Sequence, residues 1–155
     1  WQASPEIVVA EGDNAAVITE LALNGGALAL AAESLGLTAR MIDIAVQYTG
    51  ERQQFGKPIG SFQAVKHAMS NIAYKHEYAK APVARAAYAI AEGLDNASLY
   101  VSEAKLAATE VAQTAAKNTI QAHGAMGYTW EVDLHIFMKK AWAFNSYLRP
   151  VYNVG

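Results

Sequence analysis

The sequence predicts an all-α fold: an antiparallel four-helix bundle preceded by a short extended lead-in. Three observations point there. Of 155 residues, 53% are hydrophobic and 17% charged, the balance of a packed domain and not of a disordered chain. Much of the apolar content is alanine, in runs such as Ala29-Leu30-Ala31-Ala32 and Ala84-Arg85-Ala86-Ala87, and alanine is the strongest helix former. Apolar residues recur at helical spacing through long stretches that are separated by glycine- and proline-bearing segments.

Residues 5–10 form a β-branched run that reads as a strand or extended lead-in, closed by Glu11-Gly12-Asp13-Asn14 with Asp13 or Asn14 able to cap a helix. So short a strand has no sheet of its own. The first helix is expected over 14–50, with Leu30, Ser34, Leu37, Met41, Ile44 and Tyr48 on one face and a break or bend at Gly25-Gly26. A loop over 49–58 follows. The second helix is expected over 61–92, capped by Ser61, with Phe62, Val65, Met69, Ile72 and His76 on its stripe and a kink or division at Pro82. The third spans 97–122 with Tyr100, Ala104, Ala108, Val111 and Ala115 inward, and a glycine turn follows it. The fourth spans 130–147 with Leu134, Phe137, Ala141, Phe144 and Leu148 on its apolar face, stopped by Pro150. Long helices joined by short loops pack antiparallel.

A net charge of −2 gives no general attraction to nucleic acid or anionic lipid. The chain has no cysteine, hence no disulfide, thiol nucleophile or cysteine–zinc site. Trp1-Gln2-Ala3-Ser4-Pro5 does not resemble a signal or transit peptide. No continuous apolar run reaches the roughly 18 residues of a membrane span. The expectation is a cytoplasmic domain cut from a longer chain, without membrane span or nucleic-acid partner. His67, His76, His123 and His135 include no pair spaced four apart on a helix, so no zinc-helix motif is present and no metal is expected. His67 and His76 read as core-edge or surface residues.

The loops carry the chemistry. Arg52-Gln53-Gln54-Phe55-Gly56 sets a guanidinium, two amides and a ring in one turn. A guanidinium fork fits a phosphate or pyrophosphate; the same arginine is equally able to cap the preceding helix. Gln121-Ala122-His123-Gly124-Ala125-Met126-Gly127 is a small-residue turn that admits a ligand or another backbone, or is simply a connection between helices. It is not a phosphate-binding P-loop, because no Gly-Lys-Ser/Thr follows.

At these loops the sequence resembles the acyl-CoA dehydrogenase family. The stretch from Tyr48 to Gln63, with Arg52, Gln54-Phe55-Gly56, Pro58-Ile59 and Phe62-Gln63, is similar to one family signature. Gln121 to Glu131 is similar to a second, with Ala125 in place of the second glycine of its Gly-Gly-x-Gly-Tyr turn. The resemblance covers about residues 14–148 and implies the helical C-terminal domain of a three-domain flavoprotein. Residues 1–13 would then be the end of a β-domain and its linker, and 14–155 the bundle. It implies FAD bound across a subunit interface, an acyl-CoA substrate, assembly as a dimer of dimers and an electron-transferring flavoprotein as acceptor. Carried over, Arg52 contacts the FAD pyrophosphate of the neighbouring subunit and Phe55 the adenine side. Phe62 and Gln63 form a further contact pair, and Gln121, Ala122, His123, Gly124 and Ala125 line the phosphate and ribose.

The chain departs from the family at the catalytic base. Most members carry a glutamate just after the fourth helix. Counting on from Lys139-Lys140-Ala141, where the family has Arg-Asp-Ala, that place is Leu148. A minority carry the base on the first helix; counting back from Arg52, that place is Gly26, with Ala27 at a family arginine and Asn24 at a frequent aspartate. Neither base position bears a carboxylate. Three readings follow: a base-lacking subunit, homo- or hetero-oligomeric, that completes a partner's FAD site; a complete dehydrogenase with an unusual base such as Glu33 or one from a missing domain; or a purely structural oligomerisation bundle. The isolated fragment is expected to be inactive.

Overall fold

The computed structural model describes residue 5 and residues 8–147. Four helices follow in order: α1 (Gly12–Glu51), α2 (Gln63–Ala91), α3 (Ala97–His123) and α4 (Leu134–Ser146). Between α1 and α2 lies a minimal antiparallel hairpin, β1 (Gln53–Gln54) and β2 (Lys57–Pro58), with Gln53 opposite Pro58 and Gln54 opposite Lys57. Short 3-10 turns cover Ile59–Ser61 and Gly124–Tyr128. Val8 to Ala10 pair in no strand, the Val8 N–H donates to the Pro5 carbonyl at 3.2 Å, and Glu11 just before α1 is extended, so of the two expected forms of the lead-in the paired strand is not found among the described residues. Residues 6 and 7 lie outside the described residues.

The helix α3 is the hub. It packs against α1, α2 and α4, and Ala104, Ala108, Ala112, Ala115 and Ala116 on it are fully buried. Alanine at these positions lets three neighbouring backbones approach at once. Asn24 donates to Ser98 at 2.8 Å at one end of α1 and α3, and Tyr48 stacks on His123 at the other. These two helices therefore run parallel, with α2 antiparallel to both. Ser34, Thr38, Thr49, Thr109 and Thr119 are buried, and each hydroxyl donates to the carbonyl four residues earlier. Small polar side chains so satisfied sit in a core without an orphaned donor.

Two core clusters divide the bundle lengthwise. One joins all four helices through Met41, Met69, Ile72, Ile120, Leu134 and Phe144. The other uses Ala27, Ala31, Val83, Ala86, Val101 and Ala104, with nothing from α4. The reason is length: α4 has 13 residues against 27 for α3. At 1.5 Å per residue it covers about half of its neighbour. Beyond its reach Val17, Ile18, Leu21 and Leu23 of α1 are exposed.

Several expectations need correction. The helix α1 passes Gly25-Gly26 without a break; its helical hydrogen bonding continues because the following turn is anchored by buried Ala27 and Ala31. Likewise α2 runs through Pro82 undivided. The missing N–H deprives the carbonyl of Tyr78, a residue on the exposed face. Ser61 is not the cap of α2: the 3-10 turn uses it, Phe62 occupies the cap position, and the Ser61 hydroxyl is buried without a partner. Asp13 and Asn14 lie inside α1, whose cap position is Glu11. The fourth helix begins at Leu134 and not near 130, because residues 129–133 form a turn. By length and composition α1 is apolar enough to cross a membrane, with mean hydropathy 1.6 over an 18-residue window only 11% buried. A search for uninterrupted apolar runs misses it because polar residues such as Glu20 and Asn24 break the run.

Candidate functional site

The C-terminal ends of α1 and α3 and the start of α2 meet at one end of the bundle, and the loops singled out by sequence lie there. At the exit of α1 the Arg52 N–H donates to the Tyr48 carbonyl at 2.9 Å, and Ile59 N–H donates back to the Arg52 carbonyl at 2.8 Å. The backbone of Arg52 is thus fixed at the base of the hairpin. Its side chain is exposed, and among the described residues no hydrogen bond or ion pair engages it. It does not cap α1.

The hairpin tip is Phe55-Gly56, with φ of 52° and 77°. Two positive φ values in a two-residue loop mark the turn that suits the twist of paired strands, where asparagine and glycine are usual. Phenylalanine at the first position is strained by about 1–2 kcal/mol. Its ring is 91% exposed and meets Phe62 edge-on at 6.2 Å. Lys57 Nζ lies 4.4 Å from the centre of the Phe62 ring, so Phe62 is the half-buried floor and Phe55 the exposed tip. Gln63, the first residue of α2, is exposed. Gly60 lets the chain cross α1: a Cβ there would stand 3.0 Å from the Thr49 carbonyl oxygen.

The second segment lies beside this one. Gln121 is exposed and Ala122 half-buried. Gly124 ends α3 at φ 59°, ψ −136°, a conformation open essentially to glycine alone. Gly124 and Ala125 are exposed. Gly127 is buried because the turn folds back: a Cβ there would meet the Ile120 carbonyl oxygen at 2.9 Å and His123 Cβ at 3.2 Å.

His123 differs from the rest of its segment. Its ring is 4% exposed, stacks on Tyr48 with centroids 4.1 Å apart and planes 19° apart, and donates from Nδ1–H to the Thr119 carbonyl at 2.7 Å. Nε2 is buried without a partner. Burial holds this imidazole below its usual pKa of 6.5, with the Thr119 bond acting in the opposite direction. The site offers a ligand the His123 backbone, while its side chain supports the interior. His76 and His135 are also buried, against the expectation of a core-edge or surface place for His76. Sequence reasoning did not select Tyr48 as a partner of His123; their equivalent places at the ends of two parallel helices were the available signal.

Residues 15–147 match the family model described as acyl-CoA dehydrogenase, C-terminal domain. The chain belongs to the acyl-CoA dehydrogenase family. It is 44% identical over 115 residues to the acyl-CoA dehydrogenase IpdE2 of Mycobacterium tuberculosis, a match covering 74% of this chain and 34% of that protein. The solved glutaryl-coenzyme A dehydrogenase–glutaryl-CoA complex superposes with a TM-score of 0.84 at 30% identity, over 94% of this chain and 37% of that one. The ChsE4–ChsE5 complex from Mycobacterium tuberculosis superposes with a TM-score of 0.78 at 27% identity, over 88% and 36%. This acyl-CoA dehydrogenase domain therefore spans about a third of the length of such relatives.

Of the two positions where family resemblance seeks a base, Gly26 lies on α1, half-buried and without a side chain, and Leu148 lies outside the described residues. The candidate substitute Glu33 is paired with Lys140 of α4, and both side chains are about half exposed, 47% and 46%. A general base for this chemistry needs a desolvated site, which Glu33 does not have within this domain. Glu20 accepts a hydrogen bond from Ser98 at the opposite end of the bundle, in a cleft of 420 Å³ also lined by Leu21, Asn24 and Leu94. Among the described residues no cluster of three or more histidine and acidic side chains could hold a metal.

Proposed function

We propose that the chain is the C-terminal domain of a flavin-dependent acyl-CoA dehydrogenase, in a subunit that lacks its own base and completes the FAD site of a neighbouring subunit. The hairpin carries the reading. A strained, almost fully exposed Phe55 stands beside an arginine whose guanidinium no described residue engages. Backbone strain and an unoccupied guanidinium fork persist together where a ligand uses both.

The residues fit a dinucleotide. Arg52 presents forked donors for a pyrophosphate and Phe55 a flat face for adenine. Phe62 and Gln63 add a half-buried ring and an exposed amide. Gln121, Ala122 and the His123 backbone lead to Gly124 and Ala125, where the lack of bulk lets phosphate and ribose approach the main chain. Bound FAD supplies the acceptor for the hydride that leaves the β-carbon of an acyl-CoA thioester. Removal of the α-proton needs a carboxylate from elsewhere, because Gly26 and Leu148 cannot accept one. The ChsE4–ChsE5 likeness, a complex of two named chains, supports a heteromeric arrangement within a dimer of dimers. An electron-transferring flavoprotein is the proposed acceptor and the cytoplasm the proposed location. The exposed apolar residues of α1 are assigned to packing against the rest of the parent protein, with residues 1–13 leading out of its β-domain, and not to a bilayer.

The test is to purify the full-length parent alone and with a base-bearing paralogue, then measure bound FAD and acyl-CoA oxidation. Oxidation is expected only in the mixed assembly. An Arg52→Ala variant should bind FAD about 10- to 100-fold more weakly, the range for losing a charge-assisted contact. Turnover by the parent alone at rates normal for a dehydrogenase overturns the base-lacking assignment, and unchanged FAD affinity in the Arg52→Ala variant removes the cofactor assignment.

A further inference from the structure

We propose that Tyr48 and His123 form a positioning pair that sets the two cofactor-binding segments in register with each other. The inference rests on the FAD reading above and assigns a role to two rings that reading does not use. Tyr48 belongs to the last turn of α1 and accepts the Arg52 N–H at its carbonyl, 2.9 Å away. It therefore fixes where the arginine leaves the helix. Its ring lies flat on His123, 4.1 Å between centroids, and its hydroxyl points to the His123 carbonyl at 3.5 Å. His123 is itself immobilised: it is 96% buried by the 4% exposure of its surface, and Nδ1–H holds the Thr119 carbonyl at 2.7 Å. The Gly124–Tyr128 turn folds directly onto it, leaving no room for a Cβ at Gly127. One stack thus joins the exit of α1 to the end of α3 and the turn beyond it.

The physical consequence is preorganisation. Two segments from different helices must be placed within a fraction of an ångström for forked donors and a bare backbone to grip one ligand together. A flat stack between the half-buried Tyr48 ring and the buried His123 ring favours one relative orientation, which aliphatic packing of equal volume does not specify. The Arg52 contact should therefore be worth less to the ligand once the stack is gone. A merely structural role for Tyr48 predicts instead a lower melting temperature with FAD affinity unchanged in the folded variants.

The experiment is a double-mutant cycle on FAD binding by the full-length apoprotein, read by flavin fluorescence, with a melting curve for each variant. Tyr48→Leu is used so that apolar bulk is retained, and His123→Leu supplies a second break of the same stack. Each is expected to weaken FAD binding about tenfold, and adding Arg52→Ala to either is expected to cost less than about threefold further, a non-additivity typical of coupled residues. Tyr48→Phe keeps the ring and should bind FAD within about twofold of the parent, since its hydroxyl contact is long. Full additivity of Tyr48→Leu with Arg52→Ala, or unchanged binding in Tyr48→Leu, overturns the positioning role while the cofactor reading stands. An Arg52→Ala variant with unchanged binding removes the cofactor reading itself. Should Tyr48→Leu melt below the assay temperature, the His123→Leu cycle and the Tyr48→Phe rescue decide the question.

Discussion

At the scale of single residues, strain and close approach make the sharpest predictions. Phe55 holds φ at 52°, where asparagine is tolerated far better. Phe55→Asn should raise the stability of the protein by about 1 kcal/mol while weakening FAD retention; a melting curve and the flavin content of the purified protein check the two effects separately. Gly127→Ala should destabilise by about 1–3 kcal/mol, measured by denaturant unfolding, because its methyl group meets a backbone oxygen and the His123 Cβ. The buried histidines set a pH dependence. Burial lowers the pKa of His123, and burial with the nearby Lys80 charge lowers that of His76, both from 6.5. The unfolded chain then takes up these protons first as pH falls. Their contribution to stability is complete above about 6.5 and declines below it. The melting temperature should fall between pH 7 and 5.5, and a His76→Leu, His123→Phe variant should lose much of that slope.

At the scale of elements, the four helices were legible because apolar spacing, alanine content and punctuating glycines all agree. Leu37, Met41, Met69, Ile72, Ala104, Ala108, Ala115, Leu134, Ala141 and Phe144, read from spacing alone, are all buried. What spacing missed is a set of small residues in α1, while Leu30, Ile44, Phe62, Val65, Tyr100 and Phe137, also read as inward, are only half-buried. In α1 the most buried positions include Ala31, Thr38 and Ala45, small residues that a search for large apolar side chains ranks low. Gly25-Gly26 and Pro82 misled for a related reason: local propensity costs about 1 kcal/mol for glycine and about 3 for proline, which a helix with a packed face absorbs. The hub character of α3 gives the corresponding prediction. Ala112→Leu adds bulk where α1, α3 and α4 share one core cluster and should destabilise by about 1–3 kcal/mol in equilibrium unfolding, whereas the same change at exposed Ala84 should be nearly neutral.

At the scale of the whole molecule, the expected antiparallel order of the helices already implied that the loops after α1 and α3, with their proposed cofactor contacts, share one end of the bundle. What the sequence could not give is how closely the two segments approach, which the Tyr48–His123 stack sets at 4.1 Å between ring centroids. Nor could it show that His123 turns inward while Gln121, Gly124 and Ala125 stay exposed. The same scale bears on the base. Glu33 and Lys140 tie α1 to α4 at the surface, and exposed pairs contribute roughly 0–1 kcal/mol. Glu33→Gln should therefore change stability by less than about 1 kcal/mol and leave turnover of the assembled enzyme intact; a large loss of turnover with an unchanged melting curve would restore Glu33 as a candidate base. The turn at Glu92–Asn96 stands at the far end of α3 from Gly124, and 27 helical residues separate the two by about 40 Å. This chain has no native thiol, so within the domain a Glu92→Cys change would give one address for a fluorophore, far from the proposed cofactor contacts and close to the range where energy transfer to a flavin varies steeply with distance, and assembly of the proposed oligomer could be followed optically.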